Sequence, residues 1–324
     1  MELTRLAAID PRLGLGCTLT PAQLPSATAL APAELAGLLQ RHGAVLWRGF
    51  ELDVAGFKAL SERYSAEFDD YRGGGMRMPG FDREAIGDDL TVMTTTGGSQ
   101  GFGLPLHGEL YYSGNRPDLI WFGCQRPPHS AGQTTLAWAT AVTAAMAPEH
   151  QTYFSACDLA YENHLDQGKW RMTFLTDDIG VAAAAAAQRG LEFHYDALQD
   201  AVRTRYLSPA MRADPVDGRP AFINSALIIH IGEWAFRSGW VKANVGVGTA
   251  VAAPLVVRTA NGAALPERAM DDAFRAAEQV SADLNWQQGD ALLIDNRRVL
   301  HGRRECQDRD RSIIVRMARH PRWL

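Results

Sequence analysis

The stretch LPLHGELYY, residues 104–112, places a histidine and a glutamate one residue apart in an otherwise apolar and aromatic segment. Alternate side chains of a β-strand point to the same face, so we expect His107 and Glu109 to point the same way, with Gly108 adding no side chain between them. A neutral imidazole and a carboxylate on one face can bind a divalent metal ion. A histidine such as His107 on its own is more often a hydrogen-bonded structural residue than a metal ligand. A metal site here would therefore require a further ligand.

A candidate for that ligand lies far along the chain in GDALLIDNRRVLHGRRE, where His301 is followed by Gly302. Two histidines and one carboxylate on one face of an octahedral iron leave three positions open, enough for a chelating co-substrate and dioxygen. The early and late strands would have to meet for this site to form. A double-stranded β-helix, the jelly-roll or cupin-like fold, brings such strands side by side.

A chelating 2-oxo acid would leave a second carboxylate pointing into the barrel. Arg311, at the start of RSIIVRMA, can bind that group with two parallel hydrogen bonds, and Thr134, at the end of AGQT, can add a hydroxyl. Two other interpretations stay open. Arg311 could pair with Asp308 or Asp310 at the surface, and threonine is common in strands because of its β propensity.

The N-terminal region predicts a helix, a strand and a second helix. The first helix begins at Pro32 and stops at Gly43, the strand is AVLWRGF, and the second helix lies in VAGFKALSERYSAEF. The glycines of residues 71–82 then predict a loop, which is either a lid over the site or a solvated surface loop. Arg72 and Arg77 in this loop are candidates for binding a substrate carboxylate.

The rest of the chain is interpreted as mainly β, with surrounding helices. Strands are predicted in the segments TVMTTT, LHGELYY, LIWFGC, TTLAWA, VRTRYL, AFINSALIIH, ALLID and SIIVRMA. Helices are predicted in DDIGVAAAAAAQRG, capped by Thr176 or Asp177, and in PERAMDDAFRAAEQV. Trp121, Phe122 and Trp138 are assigned to the core. We therefore expect one domain over residues 1–324 with a jelly-roll core and a helical insert around residues 140–200.

Composition argues against two classes of partner. The net charge of −5 and pI near 6.0 disfavour nucleic-acid binding, and the run RRECQDRDR reads as a mixed surface loop. No apolar stretch is long enough to cross a membrane. The four cysteines form no CxxC pair, which indicates neither a zinc site nor a disulfide framework and fits a reducing cytoplasm.

The sequence resembles the taurine dioxygenase (TauD/TfdA) family of Fe(II)/2-oxoglutarate dioxygenases, and within it the branch near the syringomycin-pathway aspartyl hydroxylase. Four blocks carry the resemblance in order: HGAVLWRGF, LPLHGELYY with RPDLIWFGCQRPPHSAGQT, AVRTRYLSPAMRADPVDGRPAFIN, and GDALLIDNRRVLHGRR with RSIIVRMA. An HxE motif alone is weak, since it occurs by chance in many proteins. The four blocks together are specific and cover most of the chain.

The resemblance implies a role for each matching residue. His107, Glu109 and His301 would bind iron, and Thr134 and Arg311 would hold the distal carboxylate of 2-oxoglutarate. Asn224, in AFINS, matches an asparagine of the hydroxylase branch, and it would either contact substrate or end a strand.

Two positions depart from the family pattern. Glu109 stands where many members have aspartate, which leaves the ligand type unchanged. Val315 stands where some relatives have a substrate-binding arginine. Regular alternation puts Arg316 on the opposite face from Arg311, so we expect it to point out of the barrel.

The implied reaction oxidises a substrate C–H bond with dioxygen while 2-oxoglutarate becomes succinate and carbon dioxide. The hydroxylase branch implies hydroxylation of an amino acid or a derivative, free or carrier-bound, in specialised metabolism. Desaturation or cyclisation would use the same ligands. Two further hypotheses are a non-catalytic jelly-roll protein that binds a small ligand and a nucleic-acid demethylase, which would need a basic face. The sequence makes no prediction of oligomeric state.

Overall fold

The computed structural model describes residues 6–69, 83–95, 103–166, 168–238, 253–308 and 310–321. Within these ranges none of the helices is long and apolar enough to cross a bilayer. The helices are α1 (Pro32–His42), α2 (Val54–Tyr64), α3 (Ala139–Ala145), α4 (Pro148–Ser155), α5 (Lys169–Phe174), α6 (Ile179–Gln188), α7 (Ala226–Arg237) and α8 (Glu267–Gln279).

The strands among the described residues form four sheets. The first sheet contains β1 (Cys17–Leu19), β2 (Ala44–Trp47), β3 (Ser65–Asp69), β4 (Ala85–Ile86), β5 (Asp89–Thr94), β7 (Leu119–Arg126), β16 (Ala291–Asp295) and β18 (Ser312–Pro321). The second contains β6 (Leu104–His107), β8 (Thr134–Trp138), β15 (Ala282–Leu284) and β17 (Val299–Arg303). The third contains β9 (Asp158–Leu165), β10 (Glu192–Asp196), β11 (Ala201–Pro209) and β14 (Leu255–Thr259), and the fourth β12 (Arg212–Ala213) and β13 (Pro220–Ala221).

The main core lies between the first and second sheets. The second sheet has the strand order β15-β8-β17-β6, and in the first sheet β16 and β18 flank β7. Leu136 and Leu300 from the second sheet and Ile120 and Val315 from the first belong to one buried cluster. Two packed sheets of mixed early and late strands are the predicted jelly roll, and this prediction is confirmed.

Helices α1 and α2 cover the other face of the first sheet, as the predicted helix–strand–helix order suggested. Leu38 of α1 and Phe57 of α2 share a second buried cluster with Trp47 and Trp121. Helix α1 ends where Gly43 adopts a φ of 68°, a left-handed conformation that favours glycine. The central strands of the first sheet, such as β2 and β16, are therefore buried on both faces.

The segment predicted as a helical insert is mixed. It contains α3 to α6, but also β9 and β10, which join β11 and β14 in the third sheet with the order β10-β11-β9-β14. Trp170 of α5 and Ala182 of α6 pack with Val202 of β11 in a small cluster of their own. Asp178, and not Thr176 or Asp177, caps α6 by accepting hydrogen bonds from the backbone at Gly180 and Val181.

One predicted strand is wrong. In AFINSALIIH only Ala221 belongs to a strand, the last residue of β13 (Pro220–Ala221), and the apolar run from Ala226 begins helix α7 (Ala226–Arg237). A short apolar run is compatible with either a buried strand or a buried helix, because both can be apolar on every side. The side chain of Asn224 accepts a hydrogen bond from the Ala226 backbone N–H at 2.7 Å and so favours a turn into the helix.

A buried ion pair joins the turn after β16 to the β12–β13 hairpin. Arg298 Nε lies 2.9 Å from Asp214 Oδ2, and their side chains are only 6% and 1% exposed. Arg298 also donates to the Gln40 carbonyl at 2.7 Å and lies over the Trp138 ring. Asp214 is therefore the counterion of a guanidinium that contacts three parts of the fold.

We expect Asp214→Ala to lower the free energy of unfolding by about 3–5 kcal/mol, because it leaves a buried guanidinium without its counterion. Asp217→Ala, which removes the exposed partner of Arg219 in the same hairpin, is the matched control and should change it by less than about 1 kcal/mol. Urea unfolding measures both. Equal effects of the two variants would contradict the assignment.

Candidate active site

Two histidines face each other across neighbouring strands. In the antiparallel pair of β17 with β6, His301 is the register partner of His107. Directly opposed residues of such a pair have their side chains on the same face and in contact. The two imidazole rings accordingly lie with their centroids 4.4 Å apart.

Glu109 lies in a turn and not on a strand, which corrects the prediction that LHGELYY is extended throughout. Strand β6 ends at His107 because Gly108 N donates to the Asn224 carbonyl at 2.8 Å instead of to a neighbouring strand. The turn continues with Leu110 at a φ of 58°. It still brings the carboxylate to the histidines, since Glu109 Oε2 lies 3.5 Å from His301 Nε2.

Asn296 fixes this turn from the loop between β16 and β17. Its Oδ1 accepts from Glu109 N at 2.8 Å, and its Nδ2 donates to the carbonyls of Glu109 and Pro117 at 3.1 and 2.8 Å. Ser225 adds a hydrogen bond to the Gly108 carbonyl at 2.7 Å. The backbone at Glu109 is thus tied to the segment that leads directly into the strand carrying His301.

Gly302 lets the two histidine strands approach. A Cβ atom at this position would lie 2.5 Å from the Leu104 carbonyl oxygen and 2.7 Å from Thr135 Oγ1. The register of β17 with β6 also shifts between His301 and Arg303. A side chain here would therefore push the second sheet apart beside the histidine pair.

The three side chains form a buried group of donor atoms that all lie within 4.8 Å of one another. Burial and the neighbouring His301 lower the pKa of His107 to about 3, so its ring is neutral at physiological pH. The Pro105 carbonyl lies 2.8 Å from His107 Nδ1, which leaves Nε2 for a ligand. His301 Nδ1 is buried and has no hydrogen-bond partner within the described part of the chain.

Arg83 supplies the charge that keeps Glu109 ionised. Burial alone would raise the pKa of the Glu109 carboxyl, but the Arg83 guanidinium and the two histidines outweigh it and lower that pKa. Arg83 Nη2 lies 2.7 Å from Glu109 Oε2. Two imidazoles and one carboxylate at this spacing fit a six-coordinate divalent metal such as iron.

Thr134 and Arg311 lie at another part of the same cavity. Thr134 Oγ1 accepts from Trp286 Nε1 at 2.9 Å, and Thr134 is the register partner of Arg303 across β8 and β17. Arg311 donates from Nε to the Gly132 carbonyl at 3.1 Å and from Nη1 to Thr95 Oγ1 at 3.3 Å. Both acceptors are neutral, so neither balances the guanidinium charge.

The neighbouring acids Asp308 and Asp310 do not form a surface ion pair with the Arg311 side chain. Asp310 lies 3.6 Å from Arg126, and Asp308 accepts from the His129 backbone N–H. Burial, with a contribution from nearby Arg303, lowers the pKa of Arg311 to about 10, which leaves it protonated at neutral pH. Arg311 is therefore a cation turned toward the cavity.

A cavity opens over the three donor side chains, and a partly apolar concave site with a few convergent polar groups is typical of small-molecule binding. Its polar end has Thr95, Thr134, Arg303 and Arg311, and the histidines, Glu109 and Arg83 also line it. Its apolar wall consists of Leu104, Tyr112, Phe122, Ile228 and Ile229. Phe122 belongs to the buried core cluster, as predicted, and also lines the cavity, where its ring packs on His301 with centroids 5.4 Å apart.

The sequence model of the "Taurine catabolism dioxygenase TauD, TfdA family" matches residues 11–318. The chain belongs to the TauD/TfdA dioxygenase family. This makes it an enzyme that uses Fe(II), 2-oxoglutarate and dioxygen. A clavaminate synthase-like protein of Arabidopsis thaliana is 26% identical over 283 residues, which are 83% of this chain and 80% of that protein.

Solved structures agree on the fold. PvcB of Pseudomonas aeruginosa superposes with a TM-score of 0.55 at 15% identity, covering 97% of this chain and 90% of that one. A putative taurine dioxygenase of Burkholderia xenovorans gives a TM-score of 0.53 at 12% identity, covering 95% and 90%. At these identities the likeness supports the jelly-roll architecture of this TauD/TfdA dioxygenase.

The residues predicted to contact substrate in this TauD/TfdA dioxygenase do not come together in the structure as its three predicted metal ligands do. Asn224 does not line the cavity, since its Nδ2 donates to the Ala210 carbonyl and its Oδ1 accepts from Ala226 N. Its carbonyl also accepts a hydrogen bond from the Gly108 backbone N–H, so Asn224 stabilises the turn before Glu109. Arg72 and Arg77 lie outside the described residues. Arg316 does point away from the cavity, but it is buried against α2 and bonded to Ser61 and Glu62.

Sequence reasoning missed three residues of the site: Asn296, Arg303 and Arg83. Arg303 was placed in a surface loop, yet it is only 8% exposed and burial lowers its pKa. Its position two residues after His301 could have indicated a shared strand face. Arg83 and Asn296 lie outside regular strands, where no periodicity shows which way a side chain points.

We expect Asn296→Ala to weaken Mn(II) binding about 10- to 100-fold, because the turn that presents Glu109 loses its hydrogen bonds while all three donor side chains remain. Titration followed by electron paramagnetic resonance measures the affinity. Asn261→Ala, in the exposed turn after β14, is the control and should bind Mn(II) like the wild type. Unchanged binding by Asn296→Ala would contradict the positioning role.

Proposed function

We propose that His107, Glu109 and His301 bind Fe(II) as a facial set of two imidazoles and one carboxylate. The observation that carries this proposal is the buried cluster whose donor atoms lie within 4.8 Å of one another. Bound iron would supply the activation of dioxygen that side chains cannot perform. The protein's part is to keep two imidazoles and one carboxylate converging on one point.

Thr134 and Arg311 are proposed to hold the distal carboxylate of 2-oxoglutarate. Thr134 Oγ1 already accepts a hydrogen bond from Trp286, so its own proton is available to donate. Arg311 contributes a charge-assisted bond from a buried guanidinium. The co-substrate would then extend from this end of the cavity to the metal ligands, with its keto acid directed at His107, Glu109 and His301.

The apolar wall orients the substrate and excludes water. Tyr112, Phe122, Ile228 and Ile229 leave few polar groups beside the metal ligands. Exclusion of water protects the reaction from side reactions and strengthens the electrostatic interactions within the site. In balance, substrate C–H, 2-oxoglutarate and dioxygen give substrate C–OH, succinate and carbon dioxide.

The proposed reaction is hydroxylation of an amino acid or an amino-acid-derived intermediate, free or carrier-bound, in the cytoplasm. The supports are the resemblance of residues 201–224 to the aspartyl hydroxylase branch and the carboxylate at Glu109. Desaturation or cyclisation would use the same ligands and is distinguished by the mass of the product. A non-catalytic ligand-binding protein would release no succinate with any substrate.

We expect the wild type to form a weak visible charge-transfer band when Fe(II) and 2-oxoglutarate are added without oxygen, and His107→Ala to lose it. The alanine variant removes one of the three proposed iron ligands. Anaerobic absorption titration measures the band. His194→Ala changes an exposed histidine of β10 and should leave the band intact. Absence of the band in the wild type, or its persistence in His107→Ala, would reject the proposed site.

We expect Arg311→Gln to raise the dissociation constant of 2-oxoglutarate about 10- to 100-fold, since one charge-assisted hydrogen-bonding group contributes about 1.5–3 kcal/mol. The concentration of 2-oxoglutarate that half-saturates the same band gives this constant. Arg126→Gln is the control, because Arg126 pairs with Asp310 at the exposed surface nearby. An unchanged constant in Arg311→Gln would assign the distal carboxylate to other residues.

A further inference from the structure

Trp286 hydrogen-bonds to the threonine that is proposed to bind the co-substrate. Its indole Nε1 donates to Thr134 Oγ1 at 2.9 Å, and the two residues are only 6% and 4% exposed. Thr134 is one of the described residues that line the cavity, whereas Trp286 is not. Trp286 therefore acts on a bound molecule through Thr134 and not by direct contact.

This hydrogen bond limits the direction of the Thr134 hydroxyl proton. An indole N–H is a donor only, so the threonine oxygen must accept, and its own proton cannot point at Trp286. The described residues offer that proton no acceptor. Buried polar groups are normally paired, so we expect the acceptor to come from a molecule bound in the cavity.

Trp286 is held by contacts on both of its sides in the chain. Arg48 Nη2 donates to the carbonyl of Asn285 at 2.7 Å. Asp290 Oδ2 accepts from the backbone N–H of Gln287 at 2.8 Å. Arg48 Nη2 and Asp290 Oδ2 lie 2.6 Å apart, and the Asp290 side chain is fully buried. The two neighbours of Trp286 are thus tied to one ion pair, which restricts movement of the indole away from Thr134.

Two side chains at this end of the cavity present hydrogen-bond donors. The Arg311 guanidinium has N–H groups and no acceptor atom, and Thr134 directs its O–H away from the indole. An ionised carboxylate has only acceptor atoms, so it can pair with both groups at once. Trp286 contributes to this match because it excludes the orientation in which the threonine proton points out of the cavity toward the indole.

We propose that Trp286 is a positioning residue for the co-substrate, which holds the Thr134 hydroxyl group as a donor to the distal carboxylate of 2-oxoglutarate. The inference rests on the proposed function of Thr134 and Arg311. When the carboxylate accepts the threonine proton, the threonine oxygen becomes a stronger acceptor, because hydrogen bonds in a chain polarise one another. Binding of 2-oxoglutarate therefore strengthens the hydrogen bond from Trp286.

The test is a double-mutant cycle on the dissociation constant of 2-oxoglutarate, measured from the anaerobic charge-transfer band with Fe(II). We expect Thr134→Val to raise this constant about 10- to 100-fold, because it removes a hydrogen bond to a charged group. Trp286→Phe should raise it about 2- to 10-fold, because the hydroxyl group remains but is no longer directed. In the Thr134→Val background Trp286→Phe should have no further effect on the constant. Trp234→Phe, at a half-exposed position of α7, is the control and should behave like the wild type.

A merely structural role would give a different pattern. If Trp286 only filled space, Trp286→Phe would weaken 2-oxoglutarate binding equally in the Thr134→Val background. It would also weaken binding of 2-oxopentanoate, which chelates iron but has no distal carboxylate. Either result overturns the inference, as does an unchanged constant in Trp286→Phe. An unchanged constant in Thr134→Val would instead reject the proposed co-substrate site, and absence of the band would reject the proposed iron site.

A second measurement requires no substitution of Trp286. In the diamagnetic Zn(II) protein, Thr134→Val identifies the Trp286 indole N–H resonance among those of the eight tryptophans, since it removes the acceptor. We expect 2-oxoglutarate to move this resonance downfield in the wild type, and 2-oxopentanoate to leave it in place. A resonance that does not respond to 2-oxoglutarate would overturn the positioning role.

Discussion

The site depends on the register between β6 and β17, which puts His107 directly opposite His301. A slip of one residue in either strand would turn one imidazole to the other face of the sheet and leave no common position for a metal. Register is fixed most firmly where one face of a sheet is buried, and here both histidines face the main core. Gly302 permits the close approach on which this register depends.

The third donor is held by a different kind of interaction. Glu109 lies beyond the end of β6, so strand pairing cannot position it, and Asn296 does so with hydrogen bonds to its backbone N–H and carbonyl. Asn296 precedes the strand that bears His301. The positions of Glu109 and His301 therefore both depend on the short segment from Asn296 to His301. A displacement of that segment moves both donors together.

The structure brings together the three side chains that the sequence analysis grouped as metal ligands. His107, Glu109 and His301 could be grouped from the sequence because a buried histidine beside a carboxylate binds a metal only with further donors. The jelly roll is the fold that brings their strands together. The strand at Glu109 and the strand at residues 226–230 were wrong because local periodicity does not record hydrogen bonds made by distant groups, such as Asn224 with Gly108. Phe122 belongs to the core, as predicted, and also to the cavity wall, a distinction that strand alternation does not make. Arg83 was missed because nothing local fixes its direction.

The arginines of the cavity and of the fold differ in whether the protein supplies their counterion. Each guanidinium in a buried site costs free energy of desolvation, and burial indeed lowers the pKa values of Arg303 and Arg311. A fold retains such groups when anions repay that cost on binding. Arg298 has its counterion, Asp214, within the chain and supports structure, whereas Arg311 hydrogen-bonds to neutral oxygens. The same residue type thus serves stability at Arg298, where the protein supplies the anion, and under the proposed function it would serve binding at Arg311, where the ligand supplies it.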